Sequence, residues 1–246
     1  VPWLVKQVAI TQLPSVNALA ILRNLPASNS NRVPFIGFGD PLFAPTQIAS
    51  VSGSRKLGGQ RTLRNLSIPR AEAAQVAATI APAATPATLS EWLDYSKIPP
   101  LPDTRAEILS LASALKADLA NDVFLGAEAS KANVKRLDLT NRKIVAFATH
   151  GLLPNDFPRV NEPSLALANP NDGNHGLLTL EEILGLKLDA DWVVLSACNT
   201  AASDGRAADA VSGLGRGFFY AGTRALLVTH WPVESVSARL LVTGIF

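Results

Sequence analysis

The sequence predicts an α/β fold: a three-layer α/β/α sandwich with a mainly parallel central sheet. Three observations carry this. Lys143-Ile144-Val145-Ala146-Phe147-Ala148-Thr149, Trp192-Val193-Val194-Leu195-Ser196-Ala197 and Thr223-Arg224-Ala225-Leu226-Leu227-Val228-Thr229 are short, nearly continuous apolar runs, the pattern of strands buried on both faces. Segments with helical spacing lie between them. Strands alternating with helices run parallel, joined by right-handed crossovers.

Taken in order, Val5 to Ile10 reads as a short strand, and Val33 to Pro41 as a second that ends at a Gly39-Asp40-Pro41 turn. The stretch from Gln47 to Ser67, rich in Gly, Ser and Arg, has no sustained period and reads as a surface excursion. Pro69 to Ile80 reads as an Ala-rich helix opening on proline, a favoured first-turn residue. Thr104-Arg105-Ala106-Glu107 has the form of a capping box, and Ile108, Leu111, Ala112 and Leu115 follow on one helical face. Asp122 to Gly126 reads as a strand, and Ser130 to Leu137 as a helix with Lys135 and Arg136 at its C-terminal turn, where cations suit the dipole. A second capping box, Thr179-Leu180-Glu181-Glu182, precedes the second long apolar run. Val211, Leu214, Phe218 and Ala221 form an apolar stripe before the third, and a final helix begins near Glu234.

The 246 residues are 48% hydrophobic and 17% charged, which suits one large α/β domain over 1–246 that buries a sizeable core. Twenty-two basic and twenty acidic residues, without a block of either sign, give a net charge of +2, too weak for a nucleic-acid partner. No apolar run reaches the ~18 residues of a membrane span. One cysteine excludes an internal disulfide and fits a reducing, cytoplasmic compartment; the cysteine and three histidines lack zinc-site spacing, so no metal or other cofactor is expected. The chain starts at Val1 and contains no methionine, so it reads as a fragment of a longer protein, truncated at one or both ends.

Two reactive residue types occupy equivalent places. His150 follows one apolar run in Ala148-Thr149-His150-Gly151, and Cys198 follows another in Leu195-Ser196-Ala197-Cys198-Asn199-Thr200. The carboxyl edge of a parallel sheet is where loops form a binding crevice, so the two side chains are expected to meet across 48 positions. A thiol with a free pKa of ~8.5 is mostly protonated at neutral pH; an adjacent imidazole takes the proton and leaves a nucleophilic thiolate. Attack on a carbonyl also needs oxyanion donors, and the backbone N–H groups of Gly151 and Cys198 are the candidates.

The residues around these positions resemble the CHAT family, caspase-like domains often attached to tetratricopeptide repeats. The resemblance runs from Phe35-Ile36-Gly37-Phe38-Gly39-Asp40-Pro41 through Phe147-Ala148-Thr149-His150-Gly151 and Gly176-Leu177-Leu178-Thr179. It continues through Val194-Leu195-Ser196-Ala197-Cys198-Asn199-Thr200 to Phe218-Phe219-Tyr220-Ala221-Gly222 and Trp231-Pro232-Val233. It implies kinship with caspases, separase and gingipains, hence a cysteine endopeptidase whose Cys–His dyad forms a thioester acyl-enzyme on a protein or peptide substrate, without cofactor. It also implies a repeat region upstream in the same chain. The spacing agrees with the ~50 residues that separate the two catalytic residues in caspases. By the same resemblance, Asp40 lies in the loop that lines the pocket for the residue before the scissile bond, where an acidic floor would favour Lys or Arg, and Trp231 and Glu234 flank that pocket. The sequence names no third member of a triad. Two alternatives stand beside the protease: a non-catalytic peptide- or protein-binding module, and a thiol hydrolase of another acyl substrate.

Other features have simpler readings. A lone cysteine at a strand end is commonly core, and Asp40 equally suits a plain turn. His175, in a polar loop, is expected to be solvated, and His230 to be structural. Gly213-Leu214-Gly215-Arg216-Gly217 imitates a nucleotide fingerprint but lies within a helical stripe, where close packing explains it better. Asn65-Leu66-Ser67 matches a glycosylation sequon by chance. The Ser203-Asp204-Gly205-Arg206 connection is a candidate for self-cleavage after Arg206.

Overall fold

The computed structural model describes residues 27–44, 94–157, 160–169, 175–196, 206–228 and 235–246, together with Ala20, Arg23 and Asn24. The chain divides into two units, Val1–Ser30 and Asn31–Phe246. In the first, the Asn24 N–H donates to the Ala20 carbonyl at 3.2 Å. The expected strand at Val5 to Ile10 and helix at Pro69 to Ile80 lie outside the described residues.

The second unit is built on a five-stranded sheet ordered β2-β1-β3-β7-β8, with every neighbouring pair parallel. Its strands are β1 (Val33–Pro41), β2 (Val123–Gly126), β3 (Arg142–Ala148), β7 (Trp192–Leu195) and β8 (Ala225–Val228). The helices are α1 (Asp103–Ala114), α2 (Lys131–Arg136), α3 (Leu180–Leu184), α4 (Arg206–Ala221) and α5 (Ser235–Ile245). Alternation along the strands sorts the core into two layers. Phe35, Ile144, Ala146, Ala148 and Val194 pack with Ile108, Leu111 and Ala112 of α1 and Val242 of α5. Ile36, Phe38, Val145, Phe147, Val193 and Leu195 pack with Val134 of α2, Ile183 of α3, and Leu214, Phe218 and Ala221 of α4. Phe38 stacks on Phe147 with centroids 5.3 Å apart, and each fully buried phenyl is worth about 2–3 kcal/mol. The expected sandwich is therefore present, with helices on both faces.

Small residues set how closely helices approach the sheet. A Cβ on Gly37 or Gly39 would lie 2.9 or 2.7 Å from the Ile108 side chain, so α1 rides directly on the β1 backbone. In α4, a Cβ on Gly215 would meet Leu226 at 2.9 Å and one on Gly217 would meet Leu180 at 2.7 Å. The glycine-rich stretch of α4 is thus a packing device, as its place in an apolar stripe predicts.

A small antiparallel sheet, β4 (His150–Leu152), β5 (Ser164–Ala166) and β6 (Leu177–Thr179), ordered β4-β5-β6, follows directly from β3. Three-residue strands have too little periodicity to register in the sequence. Beneath it lies a separate cluster: Phe43, Tyr95, Ile98, Leu152, Phe157, Val160, Ala166 and Leu177.

The two capping boxes fare differently. Thr179 caps α3 as expected: its hydroxyl accepts from Glu182 N–H, and the Glu182 carboxylate accepts from Thr179 N–H. Thr104 and Glu107 form no capping box; α1 begins earlier, with Pro102 at the cap position and no side-chain cap. Thr104 donates instead to the Leu101 carbonyl at 2.7 Å and accepts from Asp40 N–H at 2.7 Å, and Glu107 is fully buried. Tertiary contact with β1 outweighed the local signal.

At the amino edge of the sheet, Arg32, with its side chain only 2% exposed, donates to both carboxylate oxygens of Asp191 at 2.7 and 2.8 Å and to the Asp189 carbonyl. Arg224 pairs with the Asp189 carboxylate at 2.5 Å. These ions tie the entry to β1 to the starts of β7 and β8.

Candidate active site at the carboxyl edge of the sheet

The chain leaves the large sheet at Thr149. Ala148 is the last residue of β3, paired with Gly39, and His150 is the first residue of β4, paired with Ala166. The Thr149 hydroxyl donates to the Ala166 carbonyl and holds the corner. Strand register therefore fixes His150 at the carboxyl edge. Its side chain lies 2% exposed, with the imidazole 5.9 Å from the Phe43 ring centroid to centroid. Nε2 lies 2.9 Å from the Pro99 carbonyl oxygen. A carbonyl only accepts, so Nε2 carries the proton in this contact, and in the neutral ring the lone pair sits on Nδ1.

The Pro99 carbonyl is the group that sequence reasoning missed. It lies in a run, Ile98-Pro99-Pro100-Leu101-Pro102, whose signal is that prolines present carbonyls without matching N–H donors. The run is anchored just upstream. Tyr95 opens a 3-10 turn, Tyr95–Lys97, and its hydroxyl accepts from the buried Gly176 N–H ahead of β6. Burial pushes the Tyr95 phenol well above its ordinary pKa, and the Gly176 N–H offsets this only in part. Tyr95 and Ile98 pack with Phe43 and Leu152, so the support of the Pro99 carbonyl and that of the imidazole share one cluster.

Gly151 is buried in β4, opposite Leu165. Cys198, Trp231 and Glu234 lie outside the described residues, as do His230 and Ser203 to Gly205. On the cysteine side, β7 runs beside β3 with Leu195 opposite Phe147, and Ser196 N–H donates to the Phe147 carbonyl at 2.9 Å. The described backbone thus carries β7 to two positions before Cys198, alongside the strand that runs into His150. Arg206 is the first residue of α4, so the expected self-cleavage site abuts a helix.

Asp40 is more elaborate than a plain turn. Against β2, Gly39 pairs with Leu125 and Pro41 with Gly126, which leaves Asp40 as the extra residue of a bulge, with φ 47°. Bulges re-aim side chains. Here the carboxylate accepts from Arg105 Nε, in the first turn of α1, at 2.8 Å. Burial raises the Asp40 pKa, Arg105 lowers it by hydrogen bond and charge, and Asp103 adds a smaller upward push.

His175 is not solvated as expected. It is partly buried, with Nδ1 facing Lys131 Nζ at 3.3 Å, and burial followed by Lys131 lowers its pKa. Both Lys131 and Lys135 bond Glu182, at 3.2 and 2.8 Å. Among the described residues no group of three or more His, Cys, Asp or Glu is arranged to hold a metal ion.

Parallel α/β sheets bind ligands at this edge, and β3 delivers a buried, backbone-bonded histidine to it. The chain belongs to the CHAT domain family, whose profile matches residues 2–246 and which brings with it a caspase-like, peptidase-related fold. No curated protein matches it. No helix among the described residues is long and apolar enough to cross a membrane.

Proposed function

We propose that this CHAT domain is a cysteine endopeptidase in which Cys198 is the nucleophile and His150 the base. The observation that carries the reading is the His150 Nε2 contact with the Pro99 carbonyl, which orients the ring and leaves Nδ1 as the proton acceptor. In the reaction, Nδ1 takes the Cys198 proton and the thiolate attacks the scissile carbonyl carbon. Backbone N–H groups of Gly151 and Cys198 hold the oxyanion. The amine leaves with the proton from the imidazolium, and water, activated by the same nitrogen, hydrolyses the thioester. The Pro99 carbonyl keeps accepting from Nε2 while the ring is charged, as a neutral orienting group.

Asp40 supplies an acidic pocket floor that favours Lys or Arg before the scissile bond, with Trp231 and Glu234 at its flanks. The protein acts in a reducing, cytoplasmic setting, downstream of a tetratricopeptide region in the same chain, on a protein or peptide substrate.

The test is covalent labelling by a peptide bearing an electrophilic warhead. Wild type is labelled, while Cys198→Ala and His150→Ala are not; absence of labelling in wild type refutes the endopeptidase. One observation favours a second reading. The near-complete burial of His150 suits a structural histidine in a peptide-binding module, for which binding persists unchanged in Cys198→Ala and no cleavage occurs. Turnover of simple thioesters but not of peptides would identify a hydrolase of other acyl substrates.

A further inference from the structure

Asp40 and Arg105 are joined in a way that bears on which substrates the pocket admits, an argument that rests on reading Asp40 as the pocket floor. The bulge and its left-handed backbone turn Asp40 out of the β1 alternation, and Thr104 fixes that backbone through the Asp40 N–H at 2.7 Å. The carboxylate, itself only 14% exposed, is met by Arg105 through Nε alone, and the Arg105 side chain is 47% exposed. Arg105 Nη2 lies over Gly126 at the end of β2, 3.9 Å from where a Cβ would stand. A cation in the first turn of a twelve-residue helix faces the positive end of the helix dipole, a cost that the Asp40 carboxylate offsets.

We propose that Arg105 gates the specificity pocket. Its guanidinium occupies the Asp40 carboxylate in place of a substrate's basic side chain, which must displace it to bind. Half-exposed ion pairs are weak, so displacement is easy and the penalty on affinity is a factor of up to about five. The substrate class that gains most from removing Arg105 is the peptide with Arg or Lys before the scissile bond; a neutral residue of equal shape gains nothing.

The experiment uses the chain with Cys198→Ala, so that binding is read without turnover, and two fluorescent peptides that differ only in arginine or citrulline at the residue before the scissile bond. Arg105→Gln is expected to tighten the arginine peptide by up to about five-fold and leave the citrulline peptide unchanged. Adding Asp40→Asn abolishes that gain, and Arg105→Lys falls between wild type and Arg105→Gln. Equal effects on both peptides, a gain that survives Asp40→Asn, or no binding of the arginine peptide at millimolar concentration would each overturn the proposal. An inert Cys198 fails the warhead test and leaves this titration intact, so the two readings fail separately.

Discussion

Tyr95→Phe removes one oxygen atom and tests how the His150 ring is held. The phenol oxygen accepts the Gly176 N–H in a buried setting, and phenylalanine keeps the ring in its cluster with Phe43 and Ile98. The loss is therefore confined to one acceptor, and it leaves a buried amide unsatisfied, at a cost of about 1–3 kcal/mol. Urea unfolding reads this directly, and for a domain of this size each kcal/mol also lowers Tm by roughly 2–4 °C. The release is not purely structural, because Tyr95 opens the turn that leads to Pro99. With the Pro99 carbonyl less firmly placed, the His150 Nε2–H loses part of its acceptor and the hydrogen bond lengthens. NMR reads this as an upfield move of the His150 Nε2–H proton even in an inert protein, and kcat/KM falls with it in an active one. A stability loss below about 0.5 kcal/mol, or a full loss with an unmoved His150 Nε2–H resonance, would refute the coupling between Tyr95 and the imidazole.

Four further outcomes are expected. Gly176→Ala places a Cβ 2.3 Å from the Ala168 carbonyl oxygen and 2.8 Å from that of Leu167, both backbone, and should cost about 2–4 kcal/mol in urea unfolding. Gly244→Ala in α5 meets nothing within 4 Å and should instead gain up to about 0.5 kcal/mol. Arg32→Met strips Asp191 of a two-pronged partner; breaking a buried pair costs about 3–5 kcal/mol, reduced here to about 2–3 because both aspartates are a third exposed. The pH dependence of stability has a sign fixed by His175. Its folded pKa lies below the ordinary 6.5, through burial first and Lys131 second, so on acidification the unfolded chain takes up the proton first. The stability it contributes is present above pH 6.5 and is lost as pH falls through the lowered folded value; His175→Gln should flatten that part of the curve in urea midpoints collected across pH.

The large sheet was legible because its strands are apolar on both faces. Val33 to Pro41 emerges with the bounds expected, and the runs at Lys143, Trp192 and Thr223 each contain a strand shortened or shifted by a residue or more at its ends. The small sheet escaped notice: His150 reads as a residue after a strand, yet it begins one. Thr104 and Glu107 show the opposite error, a strong local signature overridden because the bulge at Asp40 recruits Thr104. His150 was found from its neighbours, but its partner is a main-chain oxygen, and no side-chain alphabet records which carbonyl a tertiary fold will present. Arg105 was visible as a residue and invisible as a partner, since the 65 positions between it and Asp40 are joined only by the packing of α1 on β1.

The corner at Thr149 has a mechanical consequence. The imidazole travels with the hairpin of β5 and β6, whereas the approach to Cys198 grows from β7 in the large sheet. On the proposed reading the base and the nucleophile would therefore belong to different sheets, which are joined at Thr149 and by the burial of Leu165 and Leu178 in the same core as Phe147 and Leu195. A load applied to the hairpin would pass through that shared core into the large sheet as well as through the corner.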